Sequence, residues 1–278
     1  MLGRLERTKL RRSHRPTIAA SALLLFLGLM LLGFYTYAKT ETAGAVEFRY
    51  TFENRSYFNG LTFALYAFYF GFLLLLPIFA ATEGGAQLAG ETSTRTLHLL
   101  LTRPVGRTRL LVTKLAVAAG FLSLLAGLFL VACLLIGLFT VGFGNLDLYP
   151  GVLQMTDRHQ FLPQRVALGR FLLAWPAASV ALLAPLSLSL LVSTWMKSAV
   201  NAVGAAVALY LVLYVISEIH FFRDLRPYLF TTYLPYWRAL FREAVPWRPL
   251  LADGAKLMAF TCLFLGLAFS RFRTREEV

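Results

Sequence analysis

Charge is scarce in this chain, and acidic charge is scarcer than basic. Asp, Glu, Lys and Arg make up 15% of the 278 residues, 14 acidic against 27 basic, where a soluble domain carries about 25%. Hydrophobic residues reach 58%, more than a water-soluble core of this length can hide, so the excess has to face lipid. Cysteine is nearly absent. Cys133 and Cys262 both fall inside apolar runs, which leaves no loop disulfide and makes both small packing residues. His14, His98, His159 and His220 are scattered with no metal-ligand spacing.

The scarcity is organised. Five stretches contain no Asp, Glu, Lys or Arg at all: 16–38, 56–82, 115–146, 171–196 and 198–217. A helix crosses about 30 Å of hydrocarbon with about 20 apolar residues and satisfies its own backbone hydrogen bonds. Each stretch meets that length. A sixth span is shorter, because only the residues between Lys256 and Arg271 are uncharged; its helix is expected to start near Leu250, with Asp253 and Lys256 one turn apart and pairing at an interface. The sequence therefore predicts an all-α integral membrane protein, a single transmembrane domain over 1–278 with spans near 16–38, 58–82, 112–142, 170–194, 198–218 and 250–270.

The charge-free spans also exclude chemistry. Proton- or sodium-coupled carriers need ionisable groups at mid-membrane, and spans one to five hold none. Membrane proteases and phospholipid-synthesising enzymes need buried Ser/His, Glu/His or Asp clusters, which no span supplies, so no catalytic residue is expected. The polar residues of spans four and five, Ser187, Ser189, Ser193, Ser198 and Asn201, either line a path or let helices pack closely. Glu218 and His220 read as an interfacial anchor or as a gating pair. Asn54-Arg55-Ser56 fits a glycosylation sequon by pattern only.

The net charge of +13 would suggest nucleic acid in a soluble protein. Here the basic residues flank apolar runs, as membrane topology requires. Arg4, Arg7, Lys9, Arg11, Arg12 and Arg15 precede span one; Arg95, Arg103, Arg107, Arg109 and Lys114 follow span two; Arg271, Arg273 and Arg275 follow span six. That pattern puts both termini in the cytoplasm and loops 39–55 and 147–170 outside. The leading segment resembles a signal peptide, but the uncharged run is long enough to span and no small-residue cleavage site follows, so it reads as a retained first helix. Residues before Pro16 form either a basic helix on the inner leaflet, through Leu2, Leu5 and Leu10, or a solvated tail.

One loop breaks the charge rule. Between spans five and six lie Arg223, Arg226, Arg238, Arg242 and Arg248 on the expected outer side, among Phe221, Phe222, Tyr228, Phe230, Tyr233, Tyr236, Trp237, Phe241 and Trp247. Aromatics of this density belong in the headgroup region. The segment is expected to form short re-entrant or interfacial helices broken at Pro227, Pro235 and Pro246.

The most informative stretch is 91–114, ETSTRTLHLLLTRPVGRTRLLVTK. Glu91-Thr92-Ser93-Thr94 suits a helix start, Leu97, Leu100 and Leu101 share one face, and Pro104 stops the helix. A second helix starts near Thr108. A short amphipathic helix with an exposed apolar stripe calls for a protein groove or a lipid surface. The pattern of Glu91, Thr96-Leu97, Leu99 to Leu101, Pro104-Val105-Gly106-Arg107 and Lys114 resembles the type-two ABC exporter permeases, with Arg95 in place of the usual Gly and His98 where an acidic residue is common.

The resemblance covers nearly the whole chain, and what it implies is specific. Residues 83–111 would contain the cytoplasmic coupling helix that docks on an ATPase, with Glu91, Thr96, Leu97, Leu100, Leu101, Arg103, Pro104 and Arg107 as the coupling residues. A cytoplasmic amphipathic helix before span one and re-entrant helices between spans five and six belong to the same layout. No GxxxxGK[ST] loop occurs, and Gly84 to Gly90 lacks the Lys that would contact a nucleotide. ATP and Mg are thus expected in a separate ATPase dimer, with no cofactor in this chain. Other expected partners are a second permease copy or homologue and membrane lipid, in the inner membrane. The expected function is ATP-driven export by alternating access; the alternative is a non-transporting scaffold that recruits an ATPase for assembly or maturation of another protein.

Overall fold

The computed structural model describes Thr8 and residues 14–42, 59–93, 107–142, 144–148, 153 and 159–274. Its helices are α1 (Arg15–Thr42), α2 (Gly60–Ser93), α3 (Arg107–Thr140), α4 (Gln164–Ala181), α5 (Leu183–Trp195), α6 (Ala199–Glu218), the single turn α7 (Phe230–Tyr233) and α8 (Trp247–Thr274). Two 3-10 helices, His220–Tyr228 and Leu234–Phe241, flank α7. Strands β1 (Leu146–Leu148) and β2 (Gln160–Leu162) form an antiparallel hairpin pairing Asp147 with Phe161. Among the described residues, six helices are long and apolar enough to cross a membrane, α4 and α5 together making one.

α2 is the axis of the bundle. Of its apolar window 67% is buried, against 17% for α1 and for α6. Its neighbours turn large apolar side chains outward, including Leu24, Leu25 and Leu29 on α1, Val212 and Val215 on α6, and Leu263 and Leu267 on α8. Such faces are stable only against lipid or another apolar surface.

Proline shapes two spans by removing an amide. Pro77 lies inside α2, so the carbonyl of Leu73, four residues back, has no ladder donor. The hydroxyl of Tyr210 on α6, itself fully buried, donates to that carbonyl at 2.6 Å. Pro185 likewise leaves the Ala181 carbonyl without its donor, and the span breaks at Leu182 into α4 and α5; bonds from Leu182 N to Ala178 O and from Leu186 N to Leu182 O continue on either side.

At the hairpin end, polar groups cap the helices. Asn59 Oδ1 accepts from the amides of Leu61 and Thr62, both at 3.0 Å, and its Nδ2 donates to the Asn145 carbonyl. Asn145 Oδ1 in turn accepts from the amide of Gln164 at the start of α4. Gly60 and Gly137 bring α2 and α3 into backbone contact there: a Cβ on either would land on the other's carbonyl. Farther along α3, the indole of Trp175 lies over Gly127 and donates to the Ser123 carbonyl at 2.8 Å.

The segment between α6 and α8 divides. His220–Tyr228 has no buried residue, and Phe221 is 86% exposed. After an extended Leu229, the chain turns inward and buries Phe230, Leu234, Trp237, Leu240 and Phe241. Trp237 is enclosed edge-on by Phe68, Phe72 and Phe241, with Phe68 at a centroid distance of 4.9 Å. Thus the first piece lies on the surface of the bundle and the second packs into it. Pro235 kinks the second 3-10 helix, and Pro246 stands immediately before α8. Pro227 lies inside the first 3-10 helix, one residue before its end.

Several span limits differ from those read in the sequence. α2 continues past residue 82 to Ser93, α4 begins at Gln164, and α8 begins at Trp247. In each case the helix extends through charged residues, because charge ends an apolar run but not a helical backbone. Two ionisable residues just beyond the charge-free stretches are carried into the bundle by these helices: Glu83 on α2 and Lys114 on α3 are 4% and 2% exposed. Asp253 and Lys256 do pair, at 3.2 Å, with the ammonium also over the Tyr233 ring.

Candidate functional site

The candidate site is the end of the bundle where α2 stops and α3 starts. Of the expected coupling residues, Thr96, Leu97, Leu100, Leu101, Arg103 and Pro104 lie outside the described residues. Glu91 and Arg107 are placed by their backbones, in the last turn of α2 and at the first position of α3. What the structure describes is how these two roots are held.

They are held first by apolar packing. Leu88 of α2, Leu110 and Leu111 of α3, Leu190 of α5 and Phe272 of α8 form one buried cluster, separate from the main core. Both roots of the 91–107 segment therefore share a floor with two other spans. Displacing either root disturbs the cluster, because close-packed interiors transmit strain.

Close backbone approach is the second hold. A Cβ on Gly84 would fall on Ser189 Oγ and lie 2.5 Å from the Leu186 carbonyl of α5. On Gly85 it would meet Val203 Cα of α6 at 3.0 Å. Two glycines in sequence thus admit two neighbouring helices.

Polar contacts complete the arrangement. Ser189 Oγ donates to the Leu186 carbonyl of its own helix at 2.8 Å and lies 3.2 Å from the Ala80 carbonyl of α2. One turn on, Ser193 Oγ accepts from the amides of Leu88 at 3.1 Å and Ala89 at 2.9 Å. Glu83 faces Arg15 at the start of α1, 3.5 Å away, with the guanidinium side chain about half exposed. A carboxylate buried next to lipid-facing helices needs such a partner to remain charged.

The sequence reading named Ser187, Ser189 and Ser193 without choosing between a path and close packing. In the structure all three are buried, and they bond to backbone in this region, Ser187 to Ala184 of its own helix. The sequence does not single out Glu83, and Lys114 reads there as a flanking cation and as part of the 91–114 pattern. The Gly84-Gly85 pair after Thr82 is a turn signal by sequence, and the helix continues through it because those glycines admit α5 and α6.

Among the described residues, the contacts at this end anchor α2 and α3 to α5, α6 and α8 and bring together no nucleophile with an acid–base partner. Among the described residues there is no group of three or more His, Cys, Asp or Glu that could hold a metal.

Six apolar spans, four of which meet in the cluster at the roots of the 91–107 segment, define a multi-pass membrane protein. A family model described as ABC-2 family transporter protein matches residues 4–223, and the chain belongs to that family. It is accordingly a membrane subunit of an ABC transporter. The match runs from before α1 to the first 3-10 helix and includes the whole 91–107 segment. No curated protein matches the chain.

Proposed function

We propose that this chain is the permease half of an ATP-driven exporter, acting as one transmembrane unit over 1–278 and cycling between inward and outward access. A separate ABC ATPase dimer docks on the segment carrying Glu91, Thr96, Leu97, Leu100, Leu101, Arg103, Pro104 and Arg107 and supplies ATP and Mg. The transport path is completed by a second copy or a homologue. Both termini lie in the cytoplasm and the chain resides in the inner membrane.

The observation that carries this reading is the shared floor beneath residues 91–107. A docking segment performs work on a membrane domain only if its ends are fixed to moving parts, and here they are tied to α5 and α8 through Leu88, Leu110, Leu111, Leu190 and Phe272. Orientation has support from charge: Arg15, Arg109, Lys197, Arg271 and Arg273 gather at this same end.

Charge reversal at Glu91 (E91R) and at Arg107 (R107E) tests the coupling role in proteoliposomes containing the permease and its co-purifying ATPase. Hydrolysis of ATP is expected to continue while transport falls at least about tenfold, the effect of losing roughly 1.4 kcal/mol of interface coupling. Coupled transport unchanged in both variants would count against the role. Recovery of the permease without any ATPase in mild detergent would weaken the partnership itself.

A further inference from the structure

The amides of Leu88 and Ala89 lie inside a continuous helix, where an N–H ordinarily bonds the carbonyl four residues back. Those carbonyls belong to Gly84 and Gly85. Instead of pointing only along their own helix, both amides direct hydrogen bonds to Ser193 Oγ of α5. A side chain inserted beside the ladder is one of the few physical causes of a helix bend. The two carbonyls concerned sit on the adjacent glycines of α2, which are permissive in backbone dihedrals. One turn earlier, Ser189 Oγ lies 3.2 Å from the Ala80 carbonyl, its proton shared with the Leu186 carbonyl of its own helix at 2.8 Å. The firm hold of α5 on the α2 backbone is therefore the pair of bonds that Ser193 accepts.

From this we infer that residues 84–89 are a hinge in α2 and that Ser193 is the positioning residue that links the hinge to α5. The inference deepens the permease reading and rests on it. Four residues separate Ala89 from the end of α2 at Ser93, after which the chain enters the proposed docking segment. When that segment shifts, α2 bends at Gly84-Gly85, where the ladder is already shared. The Ser193 bonds then carry the displacement into α5, whose Ser187, Ser189 and Ser193 are all buried against the bundle. Without a hinge at 84–89, α2 would move as one rod as far as Pro77, where Tyr210 braces the Leu73 carbonyl; the Ser193 clamp instead localises the motion at the end nearest the ATPase.

Hydrogen–deuterium exchange in nanodiscs tests this on the full permease with its co-purifying ATPase, with and without ATP plus vanadate. In the wild type, nucleotide is expected to raise exchange in the 84–89 amides at least about tenfold, the opening of roughly one buried hydrogen bond, while 62–76 stays unchanged. S193A removes the acceptor and leaves a small void; S193C keeps the volume with a much weaker acceptor; S193T keeps the oxygen. S193A and S193C should both show fast, nucleotide-independent exchange at 84–89, and loss of the nucleotide response across 183–195. S193T should restore the wild-type pattern. If S193C behaves like the wild type, packing holds the turn and the clamp is refuted. Unchanged local exchange in S193A refutes it as well. A local rise in S193A beside a wild type indifferent to nucleotide would overturn the hinge and leave only a structural bond, while the permease reading stands or falls separately on the E91R and R107E transport assay.

Discussion

Replacing Tyr210 with Phe isolates one hydrogen bond at the centre of the bundle. Its hydroxyl donates at 2.6 Å to the Leu73 carbonyl, which the absence of an amide at Pro77 leaves without a ladder partner. An orphaned buried carbonyl costs about 1–3 kcal/mol in general, though side-chain bonds within membranes average nearer about 0.6 and reach about 1.7. The short bond and the full burial of Tyr210 place this case toward the upper membrane value, about 1.5 kcal/mol. The decisive measurement is a double-mutant cycle with Pro77→Ala, read by reversible unfolding in mixed micelles. Alanine restores the amide, Leu73 regains its own donor, and Tyr210→Phe should then cost under about 0.5 kcal/mol. The expected interaction energy is therefore about 1 kcal/mol. Equal costs in the two backgrounds would show that Tyr210 contributes through packing alone and that the orphan-carbonyl reasoning is wrong.

Three further outcomes are expected from the same assay. Gly84→Ala forces a methyl onto Ser189 Oγ and the Leu186 carbonyl and should destabilise by about 1–3 kcal/mol, whereas Gly28→Ala and Gly266→Ala, with open space around the new Cβ, should be neutral or stabilising by up to about 1 kcal/mol. Asn59→Ala removes the cap of α2 and the bond to Asn145, costing about 1–2 kcal/mol; a change smaller than about 0.3 kcal/mol would mean the cap is replaced by water. Arg15→Ala leaves the Glu83 carboxylate buried without the partner at 3.5 Å, and should destabilise more than Glu83→Gln does, with the double variant recovering much of the loss; the reverse order would place the value of the pair in the arginine's own packing.

How much of this was legible in the sequence follows from which forces act locally. Apolar runs set the existence of six spans because crossing a bilayer is a length requirement on contiguous residues. The excess of aromatics in 219–247 marked a segment of short helices, and in its second half those aromatics pack into the bundle, Trp237 in a socket of Phe68 and Phe72. Limits were less legible. A hydropathy run ends at the first charge, yet α2 carries Glu83 onward because Arg15 arrives from α1 to meet it, and no local rule records that. The bond from Tyr210 to Leu73 joins residues on separate spans; the sequence shows the proline that creates the need but not the hydroxyl that meets it. The short hairpin of β1 and β2 likewise depends on three residues a side and gave no alternating pattern long enough to read.

The arrangement of α2 gives these contacts a common logic. A central helix is ordinarily the stiffest element of a bundle, yet neighbouring spans bond to the α2 backbone at two places, at the Leu73 carbonyl four residues before Pro77 and at the Leu88 and Ala89 amides four residues after Gly84-Gly85. They are braced differently. At Pro77 the brace is a single donor from α6 supplying a bond that proline made unavailable, so releasing it leaves a buried carbonyl alone and the site resists opening. At Gly84-Gly85 the brace is an acceptor from α5 shared with carbonyls still present in the ladder, so its release loosens the turn and lets the amides exchange without leaving any carbonyl permanently short of a ladder donor. The first brace is therefore fixed, and the second is the one that the inferred hinge can release. On that inference the difference, set by one missing amide, favours movement at the end of the bundle from which residues 91–107 emerge.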